Sequence, residues 1–160
     1  MNDRIPPLSK TVIEAMIRDN IPHCGELGVR LVDVGPGSMT MALDYQERFV
    51  GNPETGVLHG GIITTLVDTV SGMSVYAALG KLVAVATLDL RIDYLKPAMP
   101  HMPLIAHAEC YKTTRQIAFT RCTAYHQADD PVATCVGTFM IGSSSKPPVQ
   151  MPAQAGGAVE

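Results

Sequence analysis

"HGGIITTLVDTVSG", residues 59–72, opens the longest apolar stretch of the chain, and its reading decides the fold. Between His59 and Lys81 the only charged side chain is Asp68. The stretch is too long for an ordinary strand and does not alternate, so it reads as a helix from about Gly60 to Leu79. A helix with no long charged side chain on any face has to be almost fully enclosed. Whatever surrounds it is therefore the rest of the fold.

Downstream, "ATLDLRIDYLKP" alternates: Leu88, Leu90, Ile92 and Tyr94 face one way, and Thr87, Asp89, Arg91 and Asp93 the other. That is a long, half-buried strand. "MPLIAHAECYKTT", "RQIAFTRCTAYHQ" and "PVATCVGTFMIG" supply three more, joined by "TTR" and "ADDP" turns as antiparallel neighbours in a meander. Upstream, "VRLVDV" and "SMTMALDY" flank a Pro-Gly turn and predict a hairpin. Gly35-Pro36-Gly37 is no phosphate loop, because neither a third glycine nor a helix follows it.

"LSKTVIEAMIRDN" predicts a short amphipathic helix, with Ser9 as its cap and Val12, Ile13, Met16 and Ile17 on one face. "IPHCGELG" reads as a turn or a brief second helical turn, and residues 45–58 as a loop rich in turn formers. The chain divides into an N-terminal helical segment (1–23), one α+β domain (24–142) and a C-terminal tail (143–160). That tail is rich in Ser, Pro, Ala and Gly and is expected to be mobile. One long helix wrapped by a curved antiparallel sheet of five to six strands accounts for every element. One sheet covers only part of such a helix, so a second chain is expected to cover the remainder.

Composition narrows the function. A net charge of −3 gives no basic footprint for nucleic acid or an anionic membrane, and 17% charged residues is low enough to suggest surface hidden by self-association. No signal peptide or membrane span is read in the sequence. Four irregularly spaced cysteines without a C-x-x-C pair look like reduced packing residues of a cytoplasmic protein. The five histidines show no ligand spacing, so no metal is expected, and no G-x-S-x-G elbow is present.

Asp68 is the exception that needs a reason. It has two readings: a structural hydrogen-bonder served by Thr64, Thr65, Ser71 or Gly72, or a functional carboxylate. Desolvating a charge costs several kcal/mol, so a chain that keeps one generally uses it. At the helix start, Gly60 and Gly61 either make a tight entry or let a ligand reach the unpaired first N–H groups, where the dipole favours a carbonyl oxygen gaining charge. Gly60 and Asp68 are eight residues apart, about 12 Å along a helix, too far to serve one carbonyl carbon. Two helices running antiparallel across a two-fold axis would bring Asp68 of one chain to Gly60 of the other.

"NPETGVLHGGIITTLVDTVSG" followed by "VAVATLDLRIDYLKPA" resembles the acyl-CoA thioesterases of the hotdog fold, in their phenylacetate-pathway (PaaI-like) branch, over residues 24–142. The resemblance implies a central helix as the sausage, a sheet as the bun, and sites at a dimer interface. By that resemblance Asp68 is the general base or nucleophile, and the Gly60 N–H polarises the thioester carbonyl. His59 then orients that oxygen or the loop, and Asn52 positions water or substrate. Gly61 and Thr87 complete the substrate-binding set. An acyl-CoA substrate, no cofactor, and a homodimer or homotetramer (a dimer of dimers) follow from the same likeness. A carboxylate drawn out of water is a stronger base, which suits thioester hydrolysis. Two other readings share the fold: a module that binds acyl-CoA without cleaving it, and an enoyl-CoA hydratase or dehydratase.

Overall fold

A computed structural model describes residues 10–142 of the protein; Ser9 and the tail from 143 lie outside the described residues. Helix α1 (Lys10–Asn20) buries Ile13, Met16 and Ile17, three to four residues apart and so on one face. Helix α2 (Pro22–Leu27) begins with proline in its first turn and ends at Gly28. Strands β1 (Arg30–Gly35) and β2 (Ser38–Leu43) form the expected hairpin. The loop that follows carries a short 3-10 turn at Glu47–Phe49 and a one-residue bridge, Val50 to Leu58. Helix α3 runs from Gly60 to Leu79 and stops at Gly80, whose φ of 61° breaks the helical path. Strands β3 (Val85–Tyr94), β4 (Leu104–Thr113), β5 (Ile117–Gln127) and β6 (Asp130–Ile141) complete the chain.

All six strands form one antiparallel sheet in the order β1-β2-β4-β5-β6-β3. The meander is real for β4 to β6, but β3 does not pair with β4. The nine-residue link 95–103, with three prolines, is no hairpin turn; it carries the chain across to the middle of the sheet, leaving β3 beside β6 as an edge.

Helix α3 lies across the face made by β2, β4 and β5. The register explains how it gets so close. One row across the sheet is Met41, Ala106, Ala124, Ala133, and the next is Met39, Ala108, Cys122, Cys135, all buried. Small side chains directly beneath the helix let the backbones approach, and the larger α3 residues Leu66, Val67 and Val70 fill the space at zero exposure. By length and hydropathy α3 would qualify as a membrane span, which the sequence reading had excluded, yet here it is the core helix of a sheet. This is the hotdog-like α+β architecture.

Strict alternation fails at one place in β3. The pairing with β6 slips between Thr87, opposite Phe139, and Asp89, opposite Thr138. Leu88 is the extra residue of a bulge and stands 55% exposed rather than buried. Past the bulge, Leu90 and Ile92 pack against the core, and Tyr94 follows them on the helix side. Before it, Thr87 faces the helix too, where unbroken alternation would have turned it outward.

Candidate active site

The bulge matters because Thr87 and Tyr94 now flank α3 at two separate points. At the first, Thr87 Oγ1 donates to Asp68 Oδ1 at 2.8 Å. The carboxylate is half-buried, less enclosed than its apolar helix suggests, and it opens on a cleft of about 210 Å³. Met73, Tyr76 and Phe139 form the apolar side of that cleft, and Thr69 and Thr87 the polar side. Gly72 faces the Phe139 ring across this cleft.

Around the carboxylate sit thiols that do not compete with it. Burial first, and then the Asp68 and Asp89 charges, push the Cys135 thiol up to about 11. Burial likewise raises Cys24, and Asp68 adds to the effect, although Cys24 Sγ lies 3.4 Å from Thr69 Oγ1. All four cysteines are free and buried, and thiols held protonated are poor nucleophiles. Among the described residues no group of three His, Cys, Asp or Glu side chains converges as a ligand set.

At the second point, His59 caps the start of α3. Its Nδ1 accepts the Gly61 N–H at 2.9 Å, so in the neutral ring the proton sits on Nε2. Gly61 is glycine for space: a Cβ would stand 2.9 Å from that nitrogen. Its N–H is thereby occupied. The Gly60 N–H, by contrast, has no hydrogen-bond partner among the described residues. Of the two glycine donors, the structure leaves Gly60 available.

Two residues that the sequence reading missed hold this corner. Tyr94 Oη lies 2.8 Å from Thr64 Oγ1 and 3.3 Å from the Gly60 carbonyl oxygen, fixing the first turn of α3 to the sheet edge. Gly51 brings the preceding loop against His59, where a Cβ would sit 2.8 Å from His59 Cα. The loop is closed there by Gly51 N–H donating to Val57 O and His59 N–H donating to Phe49 O, each at 2.8 Å. The clue to Tyr94 was available in its place at the end of a long strand; the clue to Gly51 was not, because a lone glycine in a loop is unremarkable.

Asn52 is engaged locally. Its Oδ1 accepts the Glu54 N–H at 2.9 Å, and its carbonyl accepts Gly56 N–H at 2.8 Å, an exposed turn within the loop. Within the chain, then, Thr87 joins Asp68, and His59 joins Gly61 and, through the first turn, Gly60. The two groups remain eight residues apart on α3, about 12 Å along its axis.

The likeness seen in the motif extends to whole proteins. The fold is that of the PaaI protein from the phenylacetic acid degradation operon of Escherichia coli, with a TM-score of 0.74 over 86% of this chain and 96% of that one at 19% identity. In sequence, the medium/long-chain acyl-CoA thioesterase YigI of Salmonella typhimurium is 24% identical over 136 residues, 77% of this chain and 87% of its own. A protein of Halobacterium salinarum that carries an esterase name is 36% identical over 118 residues, 69% of this chain and 77% of its own. Residues 55–133, from the loop before His59 through α3 and into β6, match the family model described as the thioesterase superfamily. With the same helix, the same sheet and a relative at this identity, the chain belongs to the thioesterase superfamily.

Proposed function

We propose that the protein hydrolyses acyl-CoA thioesters to a carboxylic acid and free CoA, in sites shared between two copies of the chain. The observation that carries this reading is a pair of unspent groups on one helix. One is a carboxylate held by Thr87 at the mouth of a cleft, and the other is an unpartnered N–H at the helix start. Acyl transfer needs both kinds of group, one to activate water and one to stabilise the oxygen that gains charge.

The steps balance simply. Asp68 takes a proton from water as the oxygen adds to the carbonyl carbon, or adds to that carbon itself and is released by water. The carbonyl oxygen gathers negative charge against the Gly60 N–H, its donor power reinforced by the α3 dipole. The C–S bond then breaks, and CoA leaves as thiolate to be protonated. His59 serves by holding Gly61 and the helix entry in place, with Asn52 shaping the loop beside it.

Because about 12 Å separates donor and acid along one helix, the second group must come from another chain. Strand β3 supports that arrangement. It ends the sheet with an unpaired edge among the described residues, and Leu88, Tyr94 and Leu95 are each more than half exposed along it. Pairing two such edges would give a homodimer, and a dimer of dimers would build on it. The free, buried thiols support a cytoplasmic setting.

The test is release of free thiol from a panel of acyl-CoAs by the wild type and by Asp68→Asn. Hydrolysis by the wild type, lowered about 10²–10⁴-fold in the variant, is the expected result. Acyl-CoA-dependent thermal stabilisation without turnover would replace this reading with a non-catalytic binding protein.

A further inference from the structure

The cleft that holds Asp68 does not end at Asp68. It shares Ile21, Met73, Tyr76 and Val85 with a second cleft of about 290 Å³, whose remaining wall includes Met16 and Ile17 of α1 and Ala84 before β3. Asp68 and Thr87 line only the first cleft; Met16, Ile17, Asn20 and Ala84 line only the second. The two form one groove with a polar, reactive end and an apolar far end, and together they reach the roughly 300–1,000 Å³ of ordinary ligand sites.

Resting on the hydrolase reading above, we propose that this groove takes the acyl chain, and that α1 of the same protomer sets how long a chain it accepts. The occupant follows from the lining. The far end offers two methionine side chains, which adapt to a flexible aliphatic chain, and isoleucine and valine beside them. Its one amide, on Asn20, is turned to its own helix, with Nδ2 donating to the Met16 carbonyl at 3.2 Å. Among the described residues no charged side chain lines it, so neither the CoA phosphates nor a second carboxylate is suited to that end.

Length follows from the helix. Asp68 and Tyr76 are eight residues apart on α3, about 12 Å. An extended chain advances about 1.2 Å per bond, so about ten bonds run along the α3 side of the groove from Asp68 to Tyr76. Each methylene buried there contributes about a fourfold factor to binding.

Ala84→Leu narrows the far end and Met16→Ala widens it, so the two variants are expected to move the preference in opposite directions. The readout is the ratio of kcat/KM for decanoyl-CoA to that for butyryl-CoA, measured within one preparation, with melting curves to establish that each variant is folded. Ala84→Leu is expected to lower the ratio roughly tenfold, and Met16→Ala to extend activity to longer chains such as myristoyl. Binding of the uncleavable thioether decyl-CoA, measured by calorimetry against butyl-CoA, reads the same groove without turnover. A wild type that hydrolyses both substrates, with a ratio that neither variant moves, overturns the groove and leaves the hydrolase reading standing. A wild type that hydrolyses nothing ends the hydrolase reading. The groove then stands if decyl-CoA binds more tightly than butyl-CoA and Ala84→Leu removes the difference, and falls if it does not.

Discussion

Asp68 is held by one hydrogen bond from Thr87, and that bond sets where its free oxygen points. Replacing Thr87 with Val removes the donor at nearly constant size. Hydrogen bonds to charged groups contribute about 1.5–3 kcal/mol, so kcat/KM is expected to fall roughly tenfold or more, while Thr87→Ser retains most of it. Steady-state thiol release checks both. At the other end of the site, His59→Ala removes a helix cap worth about 1 kcal/mol. It is expected to lower both the melting temperature and kcat, because the Gly60 donor belongs to the same turn. Calorimetry beside kinetics distinguishes that outcome from a purely structural cap, which would move the melting temperature alone.

Strand β3 and helix α3 are the elements that assemble these residues. The bulge at Leu88 is what turns Thr87 toward the helix while keeping Leu90, Ile92 and Tyr94 on the same side. Deleting Leu88 closes the bulge into regular pairing and leaves Thr87 opposite Phe139, still facing the helix. The expected result is a folded protein whose activity falls less than that of Thr87→Val, read by circular dichroism and kinetics together. Within α3, the Ser71 hydroxyl is fully buried without a hydrogen-bond partner among the described residues. Ser71→Ala is therefore expected to leave the melting temperature unchanged or raise it, since an unsatisfied buried hydroxyl is costly. The helix was legible in the sequence from its long, nearly uncharged apolar run, and the strands from their alternation. The bulge was not: alternation through residues 87–94 looks unbroken on paper, and only the hydrogen bonds to β6 reveal the slip.

For the whole molecule, the exposed β3 edge and the proposed sharing of the site between two chains lead to one expectation. In analytical ultracentrifugation the protein should sediment at twice or four times its 17.1 kDa chain mass. Placing glutamate at the exposed Leu88 of that edge should shift it toward monomer and lower activity together. Alkali should also weaken the fold. The Cys135 thiol, ordinarily near 9.0, is pushed up to about 11 by burial and then by Asp68 and Asp89, so the folded state holds its proton longer than the unfolded state does. Stability is thus full below about 9 and declines as pH rises through about 11, and a Cys135→Ala variant is expected to show a shallower decline in melting temperature across that window.

The amino-acid sequence by itself determined the apolar helix with its single carboxylate, the glycine pair at its start, the hairpin, and an antiparallel sheet of five to six strands around it. Those are local facts: each residue's periodicity and solvation report the face it must show. Only the tertiary structure decided that β3 leaves its chain neighbour to lie beside β6, that Leu88 bulges out and delivers Thr87 to Asp68, and that α1 closes a groove begun by α3. These depend on which distant edges and faces meet, and a one-dimensional pattern carries no term for competition between partners far apart along the chain.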